Sequence, residues 1–202
     1  MISHKHKFIF IHIPKTGGNS IQNALLKFSD DEKRIGNIHD GIQDFEIYNK
    51  TYDLWKHTSL KSYYVRMPQD LFQQYTKFTC VRNPWERMIS AYFYANRENP
   101  VFNKDRFLKH IKHYRPYTIM ISIRKFLRKK ICMDCVIRFE NMQNDFDKVC
   151  DKIGIPRQKL IHLNRGNYSK HYSSYYDDET RDMVAKKCKR EIEEFSYQFE
   201  YR

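Results

Sequence analysis

An apolar run, Phe8-Ile9-Phe10-Ile11-His12-Ile13, stops at Pro14, and Lys15, Thr16, Gly17, Gly18, Asn19 and Ser20 follow before a helical pattern starts at Ile21. A lysine, two hydroxyls and two glycines between a strand and a helix are the parts of an anion cradle. The first turn of a helix leaves backbone N–H groups unpaired, and the positive end of its dipole points the same way. Handling of a phosphorylated or sulfated small molecule is the chemistry this predicts. The residue order is not that of an ATP-binding Walker A loop, where lysine follows the second glycine. No buried strand closes on an acidic residue that would hold magnesium, Glu140 being the nearest candidate.

A second constellation follows about sixty residues on, as Arg82-Asn83-Pro84-Trp85-Glu86-Arg87-Met88-Ile89-Ser90-Ala91-Tyr92. Asn83 suits a helix N-cap and Pro84 the first helical position. Trp85, Met88, Ile89 and Tyr92 recur at core-facing spacing, which leaves Glu86, Arg87, Ser90 and Tyr94 on a polar face. Arg82 at a strand end and Ser90 two turns along can meet one phosphomonoester, a guanidinium fork and a hydroxyl donor together.

Elements that position these groups follow from hydrophobic patterning. Residues 8–13, 78–81 and 135–139 are apolar on both alternating faces, as in parallel strands buried between helix layers. Helical patterns fill about 19–28, 58–75 with a break near Pro68, 84–97, 103–113, 117–130, 142–153 and 178–195. This predicts one α/β domain over residues 1–202, with a central parallel sheet flanked by helices and ligands beyond the carboxyl ends of the strands. Residues 29–56 lack clean periodicity and read as an insertion over the active face, and 162–176 read as a loop.

The formal charge of +13 favours polyanionic partners. No apolar run is long enough for a membrane span, and no signal-peptide core is present, so a soluble, cytoplasmic protein is expected. Cys132-x-x-Cys135 is half a metal site at best, and the five cysteines read as reduced thiols with no metal required. A nucleotide-dependent kinase and a basic nucleic-acid-binding module are the competing classes. The misplaced lysine argues against the first, and the lack of a recognised binding motif against the second.

The chain resembles the PAPS-dependent sulfotransferases, in their carbohydrate (heparan sulfate 2-O-sulfotransferase-like) branch. Ile13 to Ile21 is similar to that family's 5′-phosphosulfate loop, and Val81 to Arg87 with Ser90-Ala91-Tyr92 to its 3′-phosphate motif. Ile137 to Met142, Asn167-Tyr168-Ser169 and Phe195 to Phe199 follow the same layout in order. The resemblance implies a P-loop nucleoside triphosphate hydrolase-like three-layer fold and sulfuryl transfer from 3′-phosphoadenosine 5′-phosphosulfate (PAPS) to a hydroxyl acceptor, a carbohydrate by the branch matched. It assigns the 5′-phosphosulfate to Lys15, Thr16, Gly17, Gly18, Asn19 and Ser20, and the 3′-phosphate to Arg82 and Ser90, with Lys170 in a late closing loop. Lys15 then stabilises the leaving group, and His57, in Lys56-His57-Thr58-Ser59-Leu60, is the implied base. Glu46, Asp53 and His39 are fallback bases, while His12 reads as a strand residue packed near the loop. Two departures stand out: Asn19 replaces a usual threonine, and the N-terminal membrane anchor of the Golgi members is missing. The second implies a soluble bacterial-type or viral enzyme, or a trimmed domain.

Overall fold

The computed structural model describes residues 1–39, 42–125, 128–161, 168 and 170–202, with the side chains of 37–39, 42–44, 124, 125 and 128–130 excepted. Strands β1 (Ile2–Ser3) and β2 (Phe8–Ile11) lead to helix α1 (Gly18–Leu25), then to β3 (Glu32–His39), β4 (Ile42–Asn49) and β5 (Leu54–Trp55). Helices α2 (Leu60–Arg66) and α3 (Gln69–Gln74) precede β6 (Thr76–Val81), α4 (Pro84–Ala95) and α5 (Lys104–His113). The remainder comprises β7 (Ser122–Lys125), β8 (Arg128–Ile131), β9 (Cys135–Arg138), α6 (Met142–Lys152), α7 (Asp178–Lys187) and α8 (Lys189–Phe195). Two compact units result, Met1–Val81 with Ile119–Asn164, and Arg82–Thr118 with Arg165–Arg202.

The first unit is built on a four-stranded sheet in the order β1-β2-β6-β9. The β2–β6 and β6–β9 pairs are parallel, with Ile11 opposite Thr79 and Val81 opposite Arg138, while β1 runs antiparallel to β2. All four residues of β2 are fully buried, the mark of a strand covered on both faces. Ile21 and Leu25 of α1 share a core with Met142, Phe146 and Val149 of α6 and with Phe10, Phe78 and Ile137 of the sheet. Each such side chain contributes about 1.5–3 kcal/mol by leaving water. This is the expected mixed α/β class, a central sheet of mostly parallel strands flanked by helices.

One expectation is sharpened and two are corrected. Residues 29–56, read as an insertion without clean periodicity, contain the antiparallel sheet β3-β4-β5. Phe45, Ile47 and Leu54 carry its buried face, and so short an alternation is lost among the Asp, Asn and Gly around it. The described residues of 117–130 do not form a helix: a 3-10 turn at Tyr117–Ile119 is followed by the antiparallel strand pair β7–β8. Thr118, Ile119, Ile121 and Ile123 are β-branched and stiff at χ1, and packing favours the strand. The 178–195 helix breaks at Cys188, yet buried Val184, Cys188, Glu191 and Phe195 keep helical spacing across the break, so periodicity does not reveal it.

The second unit is helical among its described residues. Tyr92, Phe102, Phe107 and Tyr176 form a chain of edge-on and tilted ring contacts with centroids 5.3–5.5 Å apart. The Trp85 indole donates to the Arg181 carbonyl at 3.0 Å. Asp177 and Thr180 form a reciprocal capping box at the start of α7.

Candidate active site

In the first unit, the loop after β2 turns twice through the left-handed region, at Lys15 (φ 68°) and Gly17 (φ 81°). Alternating backbone handedness of this kind makes successive N–H groups concave toward one point, the geometry of an anion nest. Glycine at 17 meets the positive φ without strain, and an added Cβ would lie 2.8 Å from Met142 Cε. Gly18 answers a different demand: a Cβ there would fall 2.1 Å from Cδ2 of the His12 ring. The Thr16 hydroxyl donates to the Ile13 carbonyl at 2.8 Å, so its proton is spent within the loop and its main-chain N–H is what it can offer an anion. Cys80 of β6 donates to the Thr16 carbonyl at 2.8 Å and fixes the loop from beneath. Lys15 is half-buried and Ser20 buried, while the buried Oδ1 of Asn19 has no hydrogen-bond partner among the described residues.

His12 and His57 lie against one another, ring centroids 4.5 Å apart. The His12 carbonyl accepts from His57 Nδ1 at 3.1 Å. A carbonyl can only accept, so in neutral His57 the hydrogen sits on Nδ1, and Nε2 carries the basic lone pair. Desolvation lowers the His57 pKa and Lys56 lowers it further, against the opposing pull of the His12 carbonyl and of Glu46. The ring keeps solvent access and stays neutral at physiological pH, the state a proton acceptor requires. Buried His12 is held well below its ordinary pKa by desolvation, then by His57 and Lys56, and its Nδ1 lies 2.8 Å from Gln22 Oε1 on α1. The expectation that His12 packs beside the loop holds, but the sequence missed that it joins α1 to His57.

Among the fallback bases, Asp53 is ion-paired with Arg66 at 3.1 Å, and Glu46 is exposed on β4. The His39 side chain lies outside the described residues. Thr58 does not cap α2; its Oγ1 accepts from the Trp55 N–H at 2.8 Å, and Ser59 is the N-cap residue. Lys56 is buried, its Nζ donating to the Phe45 carbonyl at 2.6 Å.

In the second unit, Asn83 caps α4 as the sequence predicts, accepting from the N–H groups of Trp85 and Glu86 at 3.1 and 3.5 Å, with Pro84 at the first position. Arg82, 7% exposed, donates through Nη2 to Glu86 Oε1 and to the Tyr168 hydroxyl, both at 2.8 Å. Burial works against its charge, but the Glu86 carboxylate and Tyr168 outweigh that cost and raise its pKa. Ser90 is buried and one helical turn beyond Glu86 on the same face of α4, and Arg82, just before the helix, meets that face through its pair with Glu86. Arg87, on the polar face that the spacing predicts, is nonetheless covered. It is 4% exposed, stacked over the rings of Tyr114 and Tyr117 at 4.8 and 4.6 Å. Glu191, fully buried, accepts from the N–H groups of Tyr117 and Thr118, and desolvation raises its pKa against the pull of Arg87. Nothing in the spacing of the sequence links these two residues. Lys170 is exposed, and Arg165–Asn167 and Ser169 of the late loop lie outside the described residues. Among the described residues, no group of three or more His, Cys, Asp or Glu is arranged to hold a metal ion. No helix among them is long and apolar enough to cross a membrane.

A strand–nest–helix loop at the carboxyl edge of a parallel sheet, beside a neutral histidine pair, defines an α/β protein with a backbone nest of the geometry that suits an anion. Family comparison specifies it: the sulfotransferase family model matches residues 1–198, and the chain belongs to that family. An uncharacterized protein from Archaeoglobus fulgidus is 30% identical over 115 residues, covering 52% of this chain and 92% of its own length. Human carbohydrate sulfotransferase 9 is 23% identical over 95% of this chain, which spans about half (47%) of that relative. No solved structure matches significantly. Family membership supports a sulfotransferase enzyme.

Proposed function

We propose that the protein transfers a sulfuryl group from PAPS to a hydroxyl of a carbohydrate, with residues 1–202 working as one sulfotransferase domain. The observation that carries this reading is the loop from Lys15 to Ser20, which turns twice through the left-handed region and whose Gly17 and Gly18 pack too closely against Met142 and His12 to admit a Cβ. Donors of this kind suit a phosphosulfate, and a buried, ion-paired arginine with a buried Ser90 one helical turn beyond its partner Glu86 suits a phosphomonoester. The acceptor class rests on the carbohydrate sulfotransferase relative. An odd number of cysteines favours a reducing, cytoplasmic setting.

When bound, the donor supplies a sulfuryl group whose bond to the phosphate oxygen breaks as the acceptor oxygen attacks sulfur. In this reading the main-chain N–H groups of residues 16–19 and the Lys15 ammonium stabilise negative charge developing on that phosphate oxygen, the Ser20 N–H being spent on the Gly17 carbonyl at 3.1 Å. His57 accepts the hydroxyl proton at Nε2, and the His12 carbonyl holds its ring in the required tautomer. Arg82 and Ser90 hold the 3′-phosphate, and Lys170 closes over it.

Calorimetry with PAP and AMP tests the donor assignment. PAP binds at least about tenfold more tightly if Arg82 and Ser90 engage the extra phosphate, and equal affinities sink that assignment. With labelled PAPS, Lys15→Ala and His57→Ala each lower turnover by about 10²-fold or more. A His57 variant of near-normal turnover moves the base elsewhere.

A further inference from the structure

The sheet β3-β4-β5 has two faces of opposite chemistry. Phe45, Ile47 and Leu54 face the core of the first unit. The alternate positions form the other face: Glu32 pairs with Tyr48, Arg34 with Glu46 and Tyr48 with Trp55. The Trp55 indole is 45% exposed, its ring centroid 4.5 Å from that of Tyr48 at a 40° tilt. The Arg34 guanidinium lies 4.0 Å over the Tyr48 ring and 5.3 Å from that of Trp55. An accessible indole is thus bordered by a phenol, a planar fork of donors and two carboxylate acceptors.

A pyranose divides its surface the same way, with an apolar C–H face and an edge of hydroxyls that both donate and accept. The alternatives fit less well. An apolar protein partner would strip water from the Arg34–Glu32 ion pair (3.8 Å) and from Glu46, and would offer their remaining donors and acceptors nothing in return. A polyanion would meet two carboxylates for one guanidinium.

Trp55 also belongs to the turn that carries His57. The Thr58 N–H donates to the Trp55 carbonyl at 3.0 Å, and the Trp55 N–H to Thr58 Oγ1 at 2.8 Å, so the turn is closed from both ends. In a four-residue turn the first and fourth Cα atoms lie within about 7 Å, so His57, between Trp55 and Thr58, stays within about the span of one sugar ring of Trp55.

We propose that Trp55, with Tyr48 and Arg34, is an acceptor subsite that stacks one pyranose of a glycan and turns its hydroxyl edge toward His57. The role of His57 in this statement rests on the sulfotransferase reading. The stacking does not, and it is measurable without any transfer.

The experiment applies the intact protein, without donor, to an array of defined neutral and anionic oligosaccharides, and measures PAP affinity in parallel by calorimetry. Wild type binds at least one neutral pyranose oligosaccharide. Trp55→Ala loses about tenfold or more of that affinity and Arg34→Ala loses less, while Trp55→Phe keeps part of it and PAP affinity is unchanged in all. Trp55 stands on an exposed face, and circular dichroism confirms that each variant folds. The proposal is overturned if Trp55→Ala binds the same glycans as tightly, or if wild type binds no glycan at millimolar concentration. It is also overturned if Trp55→Ala abolishes a wild-type dimer seen in sedimentation instead of glycan binding. Glycan binding that depends on Trp55 in a protein with no affinity for PAP keeps the subsite and removes the donor reading.

Discussion

Two strand-to-helix junctions carry the candidate chemistry, and they are made of different material. After β2 the working parts are backbone: left-handed turns at Lys15 and Gly17, and a short α1 with no side-chain cap. After β6 they are side chains: Asn83 capping α4, Pro84 at its first position, and Arg82 tied to Glu86 and Tyr168. Fixed peptide dipoles suit a group whose charge changes during reaction, because they need not reorganise. A guanidinium held by an ion pair suits a phosphate whose charge stays constant. The first junction should therefore be sensitive to any added atom, and the second to the loss of one functional group.

Gly18→Ala tests the first half of that contrast most severely. Its methyl must displace the His12 ring, so turnover drops by about 10²-fold or more. Stability falls by about 1–3 kcal/mol in urea unfolding. A fully active, stable Gly18→Ala protein would mean that the backbone is not what matters there. Arg82→Lys tests the other half: keeping the charge but losing the fork costs about tenfold in PAP affinity with AMP affinity unchanged.

A pH series separates the junctions further. His12 in the folded state titrates well below the 6.5 of an unfolded chain, so the unfolded state binds more protons in between. Its contribution is fully present above pH 6.5 and is lost as pH falls below it, by up to about 1.4 kcal/mol per pH unit. In urea titrations His12→Gln flattens this acid slope, whereas Arg82→Lys leaves it intact. The smallest effect is that of Asn83→Ala, about 1 kcal/mol of stability through the lost cap.

The sequence showed the parallel strands and both junctions because each rests on a local signal: a doubly apolar run, a glycine pair, an Asn-Pro cap. It did not show β3-β4-β5, whose buried face is marked by only a few alternating residues, Phe45 and Ile47 among them. Nor did it show what Gly18 is for, since the reason is a ring six residues earlier, visible only once β2 and α1 are folded together. Nor did it show that Arg87 is covered, because helical spacing says which face a residue shares and not what lies over it. Tyr114 and Tyr117 cover it. The tie from Gln22 through His12 to His57 is tertiary in the same sense.

Each compact unit is assembled from two separated stretches of chain, and this bears on the order in which the protein can come into being. As residues emerge from a ribosome, β2 and β6 can pair before the third parallel strand, β9, exists. Until it does, β6 offers an open edge bearing Phe78 and Cys80, which are fully enclosed in the finished sheet. The helices α4 and α5 are synthesised during that interval, yet they belong to the unit that cannot be completed until residues 165–202 arrive. Nascent chains of intermediate length therefore pass through a sticky stage, and the speed with which β9 follows sets how long it lasts.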